Sequence, residues 1–444
     1  MISFGYPILL SFFIYSVDKS MVIGAFTSRN NKYHGKFATG LVKGEEIILE
    51  YFEPGDVKRP GEISISRIVH AYKNLFTFNS TILGKTAEFG SSESCNNNVY
   101  CPEAEDWENE VHSVGRLIVL NGTALCSGSL INNVNENYTP YLLTANHCLG
   151  GDVNTWIIWF NYESSTCSNP SSEPSYQTLS GATLKANNAA SDFALVMLDE
   201  TPPLDYNVYY NGWSNINIAP TYTVCIHHPS GDIKKISYDD DSAVSSDYDP
   251  EPYLSNSHWE VVWDDGTTEG GSSGSPLIDQ NHKVVGQLHG GWASCSNQNS
   301  SDYYGKFSMS WNYGSSSSTR LRDWLDPDNT SATVLNGMEN GMLSEGTLPA
   351  NATWSGTHTL TGNVTVPSGV TLTIASGAMV NYNGYTLSSS GGTISIQSGG
   401  IITLNPATYV DITGSGNTYE VNGINVGTTF NGIGQSIETK EDFF

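Results

Sequence analysis

Apolar and polar positions alternate with a two-residue period along most of this chain, the signature of half-buried strands. Glu46 to Phe52 and Ile63 to Val69 alternate in this way and are separated by turn residues such as Glu53-Pro54-Gly55-Asp56, which predicts a small antiparallel β region over residues 1–89. Tyr6 to Tyr15 is instead a largely apolar run, broken only by Ser11. It has the length of a signal-peptide hydrophobic segment but lacks a preceding Lys or Arg and a clean small-x-small cleavage site. It reads equally as a buried strand that turns at Asp18-Lys19-Ser20 into Met21 to Phe26, and both readings stay open. Leu321, Trp324 and Leu325 sit at helical spacing, stopped by Pro327. Beyond Glu345 no Asp, Glu, Lys or Arg occurs until Asp411, and Asn363 to Ile374, Gly392 to Ile396 and Gly400 to Leu404 alternate between glycine corners. Such a stretch is a β-solenoid or stacked sheet, or else an ordinary small sandwich. The expected fold class is mainly β, in three parts: 1–89, 90–341 and 346–430.

Composition narrows the class. The 444 residues carry 19 Lys+Arg against 45 Asp+Glu, a formal charge of -26, which argues against any partner held by its phosphate backbone. Charged residues make up only 14%, while 38% are hydrophobic and 11% aromatic, the balance of a folded chain rather than a disordered one. All seven cysteines fall between Cys95 and Cys295 with no CxxC pair, so a zinc ribbon is excluded and three bridges with one thiol left over are expected. Disulfides imply an oxidising compartment, hence a secreted protein. No apolar run reaches the length of a membrane-spanning helix.

Chemistry concentrates in three segments of the cysteine-bearing part. Tyr141 to Ala145 is an apolar strand that leads through Asn146 to His147, followed by Cys148; Asp192 precedes the apolar run Phe193 to Leu198; Ser273 lies in the glycine-rich stretch Gly270-Gly271-Ser272-Ser273-Gly274-Ser275, before Pro276-Leu277-Ile278. A serine hydroxyl becomes a nucleophile when a base removes its proton, and histidine is the side chain poised to do so near neutral pH. The base in turn needs a buried acceptor to fix its tautomer and stabilise the imidazolium. Glycines beside the serine let backbone N–H groups turn toward a developing oxyanion, with Gly271 and Ser273 as the donors. Each motif alone is commonplace, but their joint occurrence in the order His, Asp, Ser, each against an apolar strand, points to nucleophilic serine catalysis.

The part from about Gly90 to Gly341 resembles the chymotrypsin-fold serine proteases and, within them, the secreted bacterial lysyl endopeptidases. The residues that carry the likeness are Ser94-Cys95-Asn96, Cys101-Pro102-Glu103, Cys126-Ser127-Gly128-Ser129-Leu130-Ile131-Asn132-Asn133, Thr144-Ala145-Asn146-His147-Cys148, Ile226-His227-His228-Pro229, Gly271 to Pro276, Gly286-Gln287-Leu288-His289-Gly290-Gly291 and Asp323-Trp324-Leu325-Asp326-Pro327. The resemblance implies two six-stranded antiparallel barrels with the triad between them, and the pairs Cys95–Cys295, Cys101–Cys167 and Cys126–Cys148. The last would close a loop of about 22 residues, worth ~3 kcal/mol. Cys225 is then left as a small buried hydrophobe.

The same resemblance carries specificity. Trypsin-type enzymes place an Asp where this chain has Thr267; the lysyl endopeptidases resemble it at Ser301-Asp302-Tyr303-Tyr304-Gly305-Lys306, which makes Asp302 the candidate base of a lysine pocket, with His289 lining the same cleft. The family's tryptophan stacked on the site histidine has no counterpart here beyond Tyr248 or Tyr253. Asp239, Asp240, Asp241, Asp247, Asp249 and Glu251 form an acidic loop without EF-hand spacing; overhanging the cleft, it would concentrate cationic substrates. Ser272 stands where trypsin-type zymogens carry the Asp that pairs with a freed N-terminus, so that switch is not expected, and the N-terminal region is read as a pro-segment that assists folding or masks the cleft, removable after Lys85. The expectation is a secreted lysyl serine endopeptidase that needs no cofactor or metal and acts on protein or peptide substrates, with no nucleic acid as partner. The C-terminal part would contact a cell surface or polysaccharide. A glutamyl or broader endopeptidase and an inert surface-binding protein are the competing readings.

Overall fold

A computed structural model of the chain describes residues 11–27, 30–54, 63–69, 89–119, 124–248, 254–340, most of 346–396 and three short strands from there to 427. By internal contacts it divides into one unit made of 1–134, 140–202 and 209–337, and a second made of 135–139, 203–208 and 338–444. The first unit opens with β1 (Ser11–Ser16), β2 (Val22–Phe26) and β3 (Ile47–Phe52), a small antiparallel sheet in the order β2-β1-β3. Residues 11–16 of the apolar N-terminal run form a strand, with Phe12, Ile14 and Ser16 facing inward, and Tyr6 to Leu10 lie outside the described residues. The chain between β2 and β3 lies along the structure that follows: Lys32 pairs with Glu200, Lys36 with Asp152, and His34 Nε2 donates to Asp199 at 2.8 Å.

After β4 (Asn97–Asn98) come β5 (Val114–Val119), β6 (Ala124–Leu130), β7 (Tyr141–Ala145), β8 (Ile157–Phe160), β9 (Gln177–Ser180), β10 (Ala182–Asn188) and β11 (Phe193–Leu198). Seven of them form one antiparallel sheet in the order β10-β11-β7-β6-β5-β8-β9. Its two end strands are consecutive in sequence, joined only by Gly181 at φ +84, so the sheet curls round and closes on itself. Counted as one bent strand, β9–β10 makes this the six-stranded barrel that the resemblance implies. A Cβ at Gly181 would overlap the Asp199 carboxylate, which is why the bend takes glycine.

After the short β12 (Tyr209–Tyr210), which lies outside it, the second sheet draws on β13 (Trp213–Ser214), β14 (Thr223–His227), β15 (Lys235–Asp239), β16 (Val244–Ser246), β17 (His258–Val261), β18 (Pro276–Asp279), β19 (Val284–Gly291) and β20 (Asp302–Lys306). Its main path runs β16-β17-β20-β19-β18-β14-β15-β4, six full strands flanked by the short β16 and β4. A single apolar cluster joins the two sheets: Leu143, Phe193 and Leu195 from the first meet Val224, Ile226 and Ile278 from the second. Trp213, Phe307 and Trp311 belong to the same cluster, with the two indoles 4.5 Å apart. Burial of such side chains at roughly 1.5–3 kcal/mol each is what holds two sheets face to face. Disulfides join Cys95 to Cys295, Cys101 to Cys167 and Cys126 to Cys148. Cys225 is free and buried, and its thiol pKa is pushed up to about 12 by burial.

In the second unit the strands pair in parallel ladders, apart from the antiparallel pair Tyr419–Val421 and Ile424–Gly427. Gly346–Thr347, Val364–Pro367 and Leu387–Ser390 stack in one; Ala352–Trp354, Thr371–Ile374 and Thr393–Ile396 in another; Thr357–Thr359, Met379–Asn381 and Ile401–Thr403 in a third. Three parallel ladders advancing together make a solenoid, not a sandwich. Val364, Val366, Leu372, Ile374, Leu387 and Ile394 fill its interior.

Candidate active site

The register of β7 against β11 builds the first half of the site. Phe193 lies opposite Ala145, so the residues just beyond these strand ends, Asn146-His147 and Asp192, are forced together. Asn146 N–H donates to the Asp192 carbonyl at 2.8 Å. Asp192 is 2% exposed and sits at φ +52, in the left-handed region. Its Oδ1 accepts the His147 backbone N–H at 2.9 Å and its Oδ2 the ring Nδ1–H at 2.7 Å. His147 is therefore held by main chain and side chain at once, with Nε2 as the ring nitrogen that remains for chemistry, while the ring is 40% exposed. Cys148, bridged to Cys126 on β6, pins the turn.

Ser273 arrives from the second sheet, in the loop that enters β18. Gly271 and Gly274 stand at φ +100 and +83, and a Cβ on Gly274 would overlap Thr144 Oγ1 of β7. The loop is sewn to both sheets. Ser127 N–H of β6 donates to the Ser273 carbonyl at 2.8 Å, Ser127 Oγ–H to the Gly271 carbonyl at 2.9 Å, and Gly274 N–H to Leu288 of β19 at 2.8 Å. The Ser273 carbonyl lies 3.8 Å from Cys148 Sγ, which places the serine beside the His147 turn. The N–H groups of Gly271 and Ser273 donate to no acceptor among the described residues. Ser272, the residue before the nucleophile candidate, is fully buried, its hydroxyl 2.8 Å from His227 Nδ1 and accepting the Glu269 N–H at 3.1 Å.

Behind the His–Asp pair runs a chain of rings. His289 Nε2 lies 3.7 Å from Asp192 Oδ2, and the His289 ring stacks on His147 with centroids 5.7 Å apart. Tyr248 stacks on the other side of His289 at 3.7 Å, inclined by 17°. Of the two tyrosines, Tyr248 is thus the one placed against a histidine of the cleft, His289; Tyr253 lies outside the described residues. His258, buried on β17, is 3.0 Å from His289 Nδ1 through its Nε2, and 2.8 Å from Ser257 Oγ through its Nδ1. One tautomer set satisfies every contact: Ser257 O–H donates to His258, His258 Nε2–H to His289 Nδ1, and His289 then turns an N–H toward the Asp192 carboxylate. Burial lowers both histidines to about 4, so they stay neutral at ordinary pH.

Asp302 opens β20 and is 1% exposed. Its Oδ2 accepts Trp263 Nε1–H at 2.8 Å and Thr268 Oγ1–H at 2.6 Å, while Oδ1 has only a long contact, 3.4 Å, from Ala293 N. Desolvation raises its pKa, against the pull of those hydrogen bonds. Thr267, buried and adjacent, carries no charge into the same wall. The second sheet approaches the Asp192 turn at Gly305, where a Cβ would overlap the Ser191 carbonyl that accepts Gln287 Nε2–H at 2.7 Å. Two groups bring three ligand atoms within 4.8 Å among the described residues: His147 with Asp192 and His289, and Asp239 with Asp241 and Asp264. The first is already hydrogen-bonded within itself. In the acidic loop Asp247 accepts from Ser255 Oγ–H, which ties the loop internally; Asp249 and Glu251 lie outside the described residues, as does Lys85.

Sequence reasoning passed over His258, Asp232 and Glu269. Each is a single polar residue outside the motifs themselves, although Asp232 follows closely on the Ile226-His227-His228-Pro229 segment and Glu269 directly precedes the Gly270 to Ser275 stretch.

Residues 89–305 match the family described as the C-terminal domain of lysyl endopeptidase. A lysyl endopeptidase of Pseudomonas aeruginosa is 30% identical over 288 residues, which cover 60% of this chain and 60% of that protein. Among solved structures, the protease Anisep of Arthrobacter nicotinovorans overlaps with 18% identity and a TM-score of 0.34, covering 48% of this chain and 93% of that one. The thermostable serine protease AL20 of an extremophilic microorganism overlaps with 14% identity and a TM-score of 0.31, over 45% and 92%. At those scores the fold assignment stands on the strand order and pairing given above.

Proposed function

We propose that this chain, whose residues 89–305 belong to the lysyl endopeptidase family, is a secreted serine endopeptidase that cleaves after lysine. The observation that carries the reading is the double hold of buried Asp192 on His147, through the main chain at 2.9 Å and the ring at 2.7 Å. That hold leaves Nε2 to accept the Ser273 hydroxyl proton as Oγ attacks the scissile carbonyl. The N–H groups of Gly271 and Ser273 would receive the oxyanion, a contribution of about 3–4 kcal/mol per donor in such sites. His147 then returns the proton to the leaving amine, and water, activated by the same imidazole, releases the acyl group. Asp302 would hold the lysine ammonium through its Oδ1, since Oδ2 is already occupied by Trp263 and Thr268. The glutamyl alternative is disfavoured because a second carboxylate beside buried Asp302 would be repelled.

The N-terminal region is read as a pro-segment that assists folding or masks the cleft, and the contacts of its described residues favour the first. Its ion pairs reach Asp152, after the His147 turn, and Asp199 and Glu200, just past the end of β11, whereas Asp192 precedes the start of that strand. Seven residues of extended chain place Asp199 about 23 Å from Asp192. No helix among the described residues is long and apolar enough to cross a membrane. In the solenoid, Thr and Ser alternate with buried positions along two of the three ladders, a surface suited to polysaccharide or cell-wall contact. Labelling with a fluorophosphonate tests the enzyme reading: the adduct should form on Ser273 and vanish in Ser273→Ala. Lys, Arg and Glu amide substrates compared side by side test the specificity. An unlabelled, inactive wild type would leave the inert surface-binding protein as the better account. Removing residues after Gly341, with cleavage and surface retention assayed separately, tests the solenoid's role.

A further inference from the structure

The nucleophile loop rests on a strap at the start of the disulfide-bearing part. Asp232, 2% exposed, receives four hydrogen bonds: Gly90 N–H at 2.7 Å and Ile233 N–H at 2.7 Å on Oδ1, Ser92 N–H at 3.0 Å and Ser92 Oγ–H at 2.6 Å on Oδ2. Glu269 binds the same strap with Oε1, which accepts Glu93 N–H at 2.7 Å and Asn96 Nδ2–H at 2.7 Å. Its Oε2 accepts Ser230 Oγ–H at 2.6 Å. Both carboxylates act on the loop that carries Gly271 and Ser273. The Glu269 carbonyl accepts the Ser272 N–H at 2.9 Å, the Gly270 carbonyl accepts the Ser230 N–H at 2.7 Å, and Ser230 lies two residues before Asp232. At Gly271 a Cβ would stand 2.8 Å from the Gly231 nitrogen and 2.9 Å from the His228 carbonyl, so the two loops are in direct contact there. Cys95, in the middle of the strap's far end, is bonded to Cys295.

We propose that Asp232 and Glu269 are positioning residues through which the strap Gly90–Asn96 holds the Gly271 and Ser273 N–H groups in line with the oxyanion, in place of the acidic residue that Ser272 replaces. The strap does the work of a bound N-terminus without needing one to be freed, so any processing point must lie before Gly90. This inference rests on the endopeptidase reading. Because an oxyanion exists only after attack, loosening the brace should fall on kcat and leave KM nearly alone.

The two carboxylates predict opposite responses to their amides. Glu269→Gln keeps an oxygen for Glu93 and Asn96, and its NH2 donates to the Ser230 hydroxyl, so activity should stay within about 3-fold of wild type. Glu269→Ala should lower kcat by about 10-fold or more with KM within about 3-fold, as befits partial loss of one donor's alignment. Asp232→Asn has one oxygen where four donors need two, and should behave like Glu269→Ala. The milder Ser230→Ala, which removes only the Oγ–H bond to Glu269, guards against loss of folding and should lower kcat by several-fold. The experiment measures kcat and KM per active site, with sites counted by fluorophosphonate titration and thermal unfolding run alongside. Equal per-site kcat in Glu269→Ala and Ser230→Ala, with loss only of titratable sites or of melting temperature, overturns the brace and leaves the enzyme reading intact. A wild type that neither titrates nor hydrolyses overturns both.

Discussion

Replacing Asp302 by Asn removes one charge from a buried wall and changes little else in volume. The carboxylate is 1% exposed and is held at Oδ2 by two neutral donors, so no protein cation offsets it. A lysine ammonium about 4 Å away in surroundings of effective dielectric near 20 gains ~4 kcal/mol, equivalent to roughly a thousandfold in kcat/KM. Paired substrates that differ only in Lys or norleucine before the scissile bond read this directly. The wild type should favour Lys by about three orders of magnitude, and Asp302→Asn by less than about tenfold, with the norleucine rate preserved. The pH profile supplies a second reading. Desolvation raises the Asp302 pKa, so the empty pocket loses its charge at a higher pH than an ordinary carboxylate would. A bound ammonium favours the ionised form, and lysine binding should therefore release a proton on the acid side, with KM for the Lys substrate rising as pH falls while that for norleucine stays flat. Undiminished Lys preference in Asp302→Asn would refute the pocket and the reasoning that placed the charge there.

Three further outcomes follow from the same contacts. Burial raises Asp239 to about 6 against an ordinary 3.8, so the folded state holds its proton more tightly than the unfolded one; stability should fall as pH rises from about 4 to about 6, and Asp239→Asn should flatten that fall and gain ~1–3 kcal/mol at neutral pH by chemical denaturation. Buried His258 and His289 are lowered to about 4, and His227 to about 3, the opposite sign: their contribution is complete above about 6.5 and is lost as pH falls toward 4, which an acid-unfolding curve should show as steeper below 6.5 than in His258→Gln. Gly305→Ala drives a methyl into the Ser191 carbonyl; it should cost about 2 kcal/mol or more in stability and lower kcat by displacing the Asp192 turn, and unchanged stability would mean that the β20 contact is softer than described.

Short-range signals determined a good deal. Two-residue alternation announced the strands, a glycine-rich stretch before an apolar run singled out Ser273, and an apolar strand ending near a cysteine singled out His147, because each of these patterns is complete within a few consecutive residues. The acidic partner Asp192 was legible for the same reason, at the mouth of a buried strand. Other features had no local expression. Parallel ladders and sandwiches share one alternation pattern, and only stacking of successive turns distinguishes them, so the solenoid was left open until the pairing of Val364–Pro367 with Leu387–Ser390 was seen. Gly181 reads as any other turn glycine until β9 and β10 prove to be the two ends of one closed sheet. His258, Asp232 and Glu269 are single polar residues whose roles lie mostly in partners on distant strands and loops: Ser257 and Ile233 aside, the side-chain hydrogen bonds that define them cross between elements. What a residue can do chemically was written in its type and its immediate neighbours. Which groups it would face was set when two sheets buried a common core, since that is the step that removes water and leaves each polar group only the partners within reach.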